Sequence, residues 1–158
     1  MNARRTRYYR TLFLVAAVCD IALGLVFIFF YRYLFRWLGV PVPYSTGYVT
    51  LIGAFPLVIG VAYYLISRGD LIKNRDLIIV GTLYKLAYST VAFYHLAAGD
   101  IPHLLFAVFG AVDVVFFALF AECLYSIRRV SRQAIGNRTQ AQRPAKPRSS
   151  NERVAISP

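Results

Sequence analysis

Four apolar stretches, 12–30, 47–66, 77–98 and 104–125, are each close to the length a helix needs to cross a bilayer, about 20 residues. A chain with four such runs cannot bury them all in a water-soluble core of 158 residues. Only 16% of its residues are charged, against roughly 25% in soluble domains. Of the 18 lysines and arginines, Lys85 alone sits inside an apolar run. The sequence therefore predicts an all-α integral membrane protein, a four-helix antiparallel bundle spanning residues 12–127. A basic N-terminus (1–11) precedes it and a basic tail (128–158) follows.

The net charge of +11 raises the question of nucleic acid, but its placement answers against it. Arg4, Arg5, Arg7 and Arg10 precede the first run, Arg68, Lys73 and Arg75 lie between the second and third, and eight more follow the fourth. Cationic loops on one side are the positive-inside pattern, and no nucleic-acid motif accompanies them. Both termini are expected in the cytoplasm, at a bacterial inner membrane. The first run is too long for a signal-peptide core and ends on no small-residue cleavage site, so it reads as an uncleaved span. The tail is polar and rich in Ser, Gln and Pro; it is expected to be disordered, with its arginines against anionic lipid headgroups.

Between the first two spans, Phe30, Leu34, Phe35 and Leu38 share one helical face while Arg32 and Arg36 share the other. Such a segment lies in the interface, and Gly39, Pro41 and Pro43 end it. In the second span Gly53, Gly60 and Ser67 recur every seven residues and line a packing groove, and Gly24 offers a close approach on the first. Pro56 is expected to kink the second span. Cys19 and Cys123 form no CxxC and read as buried apolar residues without a disulfide.

The third run is the anomaly. It carries Lys85 near its middle and His95 towards its end, and a central lysine costs about 2.5–3.5 kcal/mol on insertion scales. Asp20 and Asp113 lie near the middles of the first and fourth spans. Counted from the basic side at about 1.5 Å per residue, the three fall within roughly 5 Å of depth on three helices. Hydrocarbon offers them no partner, so they are expected to meet in the interior, with Tyr84, Tyr88 and Ser89 as neighbouring polar groups. One lysine between two carboxylates leaves one negative charge in excess, which calls for a proton or further hydrogen bonds. Such a cluster can lock helices together, bind a ligand or handle protons. His95 and His103 flank the outer turn with Asp100; their spacing matches no helix-face metal motif, and no cofactor is expected.

The runs Cys19-Asp20-Ile21-Ala22-Leu23-Gly24, Leu83-Tyr84-Lys85-Leu86-Ala87-Tyr88 and Val112-Asp113-Val114-Val115-Phe116 resemble small bacterial four-helix membrane proteins, broadly the DoxX-like group. The resemblance covers about residues 10–127 and implies a four-helix bundle in the inner membrane. Quinone-linked redox roles occur in that group, but no quinone or haem motif stands here to carry one over. The functional expectation is a small binding or accessory subunit with a polar pocket between helices. A proton-coupled transporter, as an oligomer, is the alternative, and an enzyme acting on a lipid or quinone is weaker, since no nucleophile–base pair is present. Its partners are the bilayer and a second copy or another membrane protein.

Overall fold

A computed structural model of the chain describes residues 2–100 and 103–141, with backbone alone at 131 and 134–141. Among them there are five helices and no strand: α1 (Ala3–Phe29), α2 (Tyr31–Leu38), α3 (Thr46–Arg68), α4 (Arg75–Ala98) and α5 (Leu104–Ala141). Four of the five are long and apolar enough to cross a membrane.

The breaks between helices have local causes. α1 and α2 are separated by Phe30 alone, whose φ of −121° leaves the helical region while its N–H still donates to the Val26 carbonyl. α2 and α4 both end on a glycine in the left-handed region, Gly39 at φ 67° and Gly99 at φ 75°, which costs a residue without Cβ little. In each case the following N–H reaches back to a carbonyl of the last turn, Val40 to Phe35 and Asp100 to His95. α3 stays helical through Pro56.

The bend between α3 and α4 is held by Asp70, whose Oδ1 accepts from the N–H groups of Ile72 at 2.8 Å and Lys73 at 3.3 Å. These bonds to the charged form, helped by the Lys73 and Arg10 cations, hold the Asp70 carboxyl below its ordinary value. With the folded value depressed, the turn keeps this support at neutral pH. It loses it as pH falls from the ordinary carboxylate range, about 4, through the lowered value. Amide exchange at Ile72 and Lys73 is expected to speed up on acidification in the native chain and to be fast at neutral pH in Asp70→Ala. Exchange unaffected by that substitution would show that the turn stands without the carboxylate.

Backbone packing is most extensive in two pairs, α1 on α3 and α4 on α5. The first pair is close because glycines face it. A Cβ placed on Gly24 would lie 2.8 Å from the Gly53 carbonyl oxygen, and one on Gly60 would lie 2.8 Å from the Ile21 nitrogen. The expected groove is thus filled by α1 at Gly53 and Gly60, and Ser67, the third position of the repeat, is buried. Large side chains join the pairs. Phe13 of α1 stacks on Phe120 of α5 at 4.5 Å, and Tyr63 of α3 meets Phe120 edge-on at 5.1 Å and donates to the Gly81 carbonyl of α4 at 2.8 Å.

These rings belong to one core, built from Tyr9, Phe13, Ile66, Ile78, Phe120, Cys123 and Ile127 among others. A smaller cluster, Tyr31, Phe35 and Val49, seats α2. Its arginines, Tyr33 and Trp37 are exposed, and Tyr31 takes the place on the buried face that the sequence assigns to Phe30. Much of what remains outside is apolar: Val18, Phe29, Leu51, Phe55, Val58, Leu83, Val91 and Val115 are all exposed. Contiguous apolar surface on every long helix is unfavourable in water and natural against lipid.

Two boundaries differ from the sequence reading. α1 begins at Ala3, well before residue 12. Arginine is a good helix former, and Tyr9 is pinned to α5 by hydrogen bonds to Glu122 and Ser126, 3.0 Å each. α5 continues to Ala141, so the tail's first turns are helical where disorder is expected from residue 128. Extending an existing helix requires no new nucleus, which composition alone does not register. The remainder of the tail, 142–158, lies outside the described residues.

Candidate functional site

Lys85 sits on the face of α4 that also presents Thr82, Ser89 and Ala92 to the interior. The residue is only 1% exposed. Its Nζ lies 2.7 Å from Asp20 Oδ1 on α1 and 2.7 Å from Asp113 Oδ1 on α5. The acids are themselves buried, Asp20 at 4% exposure and Asp113 at 9%. The three charges that the sequence places at a common depth therefore form one centre, a cation bridging two carboxylates from two other helices. At this separation the attraction is strong wherever water is scarce, and each charge depends on the others for its burial.

Asp20 Oδ1 has the ammonium; Asp20 Oδ2 is buried and has no hydrogen-bond partner among the described residues. With both acids ionised the centre carries one excess negative charge, and this oxygen is the unneutralised corner of it. A buried carboxylate oxygen without a donor is costly, so the centre is short of one donor or one proton.

The surroundings differ in part from expectation. Three rings enclose Nζ: Phe116 at 5.4 Å, Tyr84 at 5.7 Å and Tyr63 at 5.8 Å. These distances suit cation–π attraction, and the rings exclude water. Tyr84 is in place, but as a ring rather than a hydroxyl donor. Neither Tyr84 nor Tyr88 hydrogen-bonds to either acid among the described residues; both are half-buried. Ser89 is buried beside the centre without joining it. It donates towards the Lys85 carbonyl at 2.8 Å and the Gly110 carbonyl at 3.0 Å, tying α4 to α5.

Tyr63 is the residue that the sequence reading missed. Its place is made by Gly81, one turn before Lys85, where a Cβ would collide with the Tyr63 ring; that pairing of α3 with α4 shows only in the fold. The histidines stay apart from the centre. His95 Nδ1 lies 2.8 Å from Asp100 Oδ1 at an exposed turn, and His103 Nδ1 accepts from the Leu105 N–H at 3.1 Å. Among the described residues no group of three His, Cys, Asp or Glu side chains gathers as metal ligands. Cys19 is exposed and Cys123 buried, both free.

Fold and centre together define a class: a small helical protein with four helices long and apolar enough to span a membrane, built around one internal ion cluster. No family model, curated protein or solved structure matches the chain.

Proposed function

We propose that the protein is an integral membrane subunit with four antiparallel spans, α2 in the interface and both termini in the cytoplasm of a bacterial cell. In this reading it works as a binding or accessory protein, and the Lys85 centre is its point of polar recognition. The observation that carries the proposal is Asp20 Oδ2, buried beside an ammonium with no donor of its own. A hydroxyl, amide or other donor from an amphipathic molecule, or from a partner's helix, completes the centre at that oxygen. The motifs around Asp20, Lys85 and Asp113 support kinship with DoxX-like proteins as part of the same proposal.

The test is native mass spectrometry of protein released from lipid nanodiscs, wild type against Asp20→Asn. The neutral variant no longer needs the missing donor, so a lipid, quinone or protein retained by the wild type is expected to be lost or sharply reduced. An identical set of retained molecules in both proteins rules the recognition role out. The same excess negative charge also suits a proton site, and proton-coupled transport is the second reading. It requires proton flux in dye-loaded liposomes that Asp20→Asn and Asp113→Asn abolish.

A further inference from the structure

A second charged cluster lies at the end of the bundle where α4 begins and the apolar part of α5 ends. Tyr125, Arg128, Arg129 and Arg132 line one face of α5 around a hollow of about 520 Å³. A smaller hollow of about 320 Å³ adjoins it, between Arg75 at the first turn of α4 and Ile127, Arg128 and Arg132 of α5. Arg128 and Arg132 border both.

Four guanidinium groups in one place repel one another, and none of them is paired with a carboxylate among the described residues. Glu122, two turns before Arg129 on the same helix, is engaged elsewhere. It lies 3.9 Å from Arg5 and accepts from Tyr9. The cluster is thus built for an anion from outside the chain, and planar guanidinium forks match the oxygens of a phosphate.

Depth distinguishes the kind of phosphate. At about 1.5 Å per residue, Arg128 to Arg132 stand roughly 5–10 Å beyond Tyr125, the last residue of the fourth apolar run. A headgroup layer begins at that level and is of comparable thickness. Tyr125 is exposed and suits the rim of the hydrocarbon.

We propose that Arg75, Arg128, Arg129 and Arg132 form a binding site for an anionic phospholipid with two phosphates, one over each hollow and both held by the shared Arg128 and Arg132. The site rests on the membrane placement proposed above, but not on the Lys85 centre.

The full chain in detergent micelles is titrated, by native mass spectrometry, with cardiolipin, phosphatidylglycerol and phosphatidylcholine, and separately with inorganic pyrophosphate. Cardiolipin is expected to bind tightest. Arg128→Gln combined with Arg132→Gln should weaken it about thirty-fold, from the usual contribution of two arginines near a headgroup. Arg32→Gln with Arg36→Gln, on exposed α2, should leave it unchanged. Equal affinity for phosphatidylcholine, or no effect of the α5 pair, overturns the site. Pyrophosphate binding as tightly as cardiolipin overturns the lipid as its ligand. Carbonate washing of native membranes tests the placement by itself: release of the protein there defeats the membrane reading whatever the micelle titration shows.

Discussion

Replacing Lys85 with Met is expected to destabilise the fold by about 3–5 kcal/mol, because it strands two carboxylates in the interior with no cation between them. Methionine fills much the same volume, so little of the effect comes from a cavity. The cost is electrostatic: Asp20 and Asp113 each lose a partner at 2.7 Å, and neither has enough exposure to recover its hydration. Adding Asp20→Asn and Asp113→Asn to Lys85→Met should recover much of the loss, since three neutral groups carry no unpaired charge. Unfolding in bicelles, followed by denaturant titration, measures both variants. A loss below about 1 kcal/mol for Lys85→Met, the range of an exposed ion pair, would remove the cluster from the list of what holds the helices together.

Gly60→Leu is expected to separate α1 from α3, at a cost of about 1–3 kcal/mol or more. The added Cβ alone would fall 2.7 Å from Ile21 Cγ1, 2.8 Å from the Ile21 nitrogen and 3.1 Å from the Ala17 carbonyl oxygen. A side chain can swing away, but two of these three neighbours are backbone, so the helices themselves have to move apart. Gly47→Leu is the control, since nothing lies within 4 Å of a Cβ there. Equal thermal stability of the two variants would mean that the glycine seam is not a close contact. Moving α1 also displaces Asp20 from Lys85, so this variant is expected to disturb the centre from a distance.

The parts of this structure legible in the sequence are those governed by one strong physical constraint. Four apolar runs of spanning length, the glycine repeat Gly53-Gly60 and the shared depth of Asp20, Lys85 and Asp113 follow from counting residues along helices. What was not legible depends on which faces meet. Ser89 flanks Lys85 on the helical wheel, yet the backbone carbonyl of Gly110 lies close enough to take its hydroxyl. Tyr63 helps enclose the ammonium because of how α3 packs on α4, and nothing in its local sequence marks it out from its many aromatic neighbours, whereas Phe116 stands one helical turn from Asp113. The helical stretches before residue 12 and from 128 to 141 were hidden by charge: arginine-rich sequence reads as solvated tail, although it continues a helix well once the apolar part has formed one.

The central claim is geometric, that one ammonium sits between two carboxylates in the interior of the bundle. Solid-state NMR in lipid bilayers tests it by measuring dipolar contact between ¹⁵Nζ-labelled lysine and ¹³Cγ-labelled aspartate. Close contact from a single lysine to two aspartates is predicted, reduced to one by either Asp20→Asn or Asp113→Asn and absent from Lys85→Met. A lysine signal with no aspartate contact in the wild-type chain would contradict it.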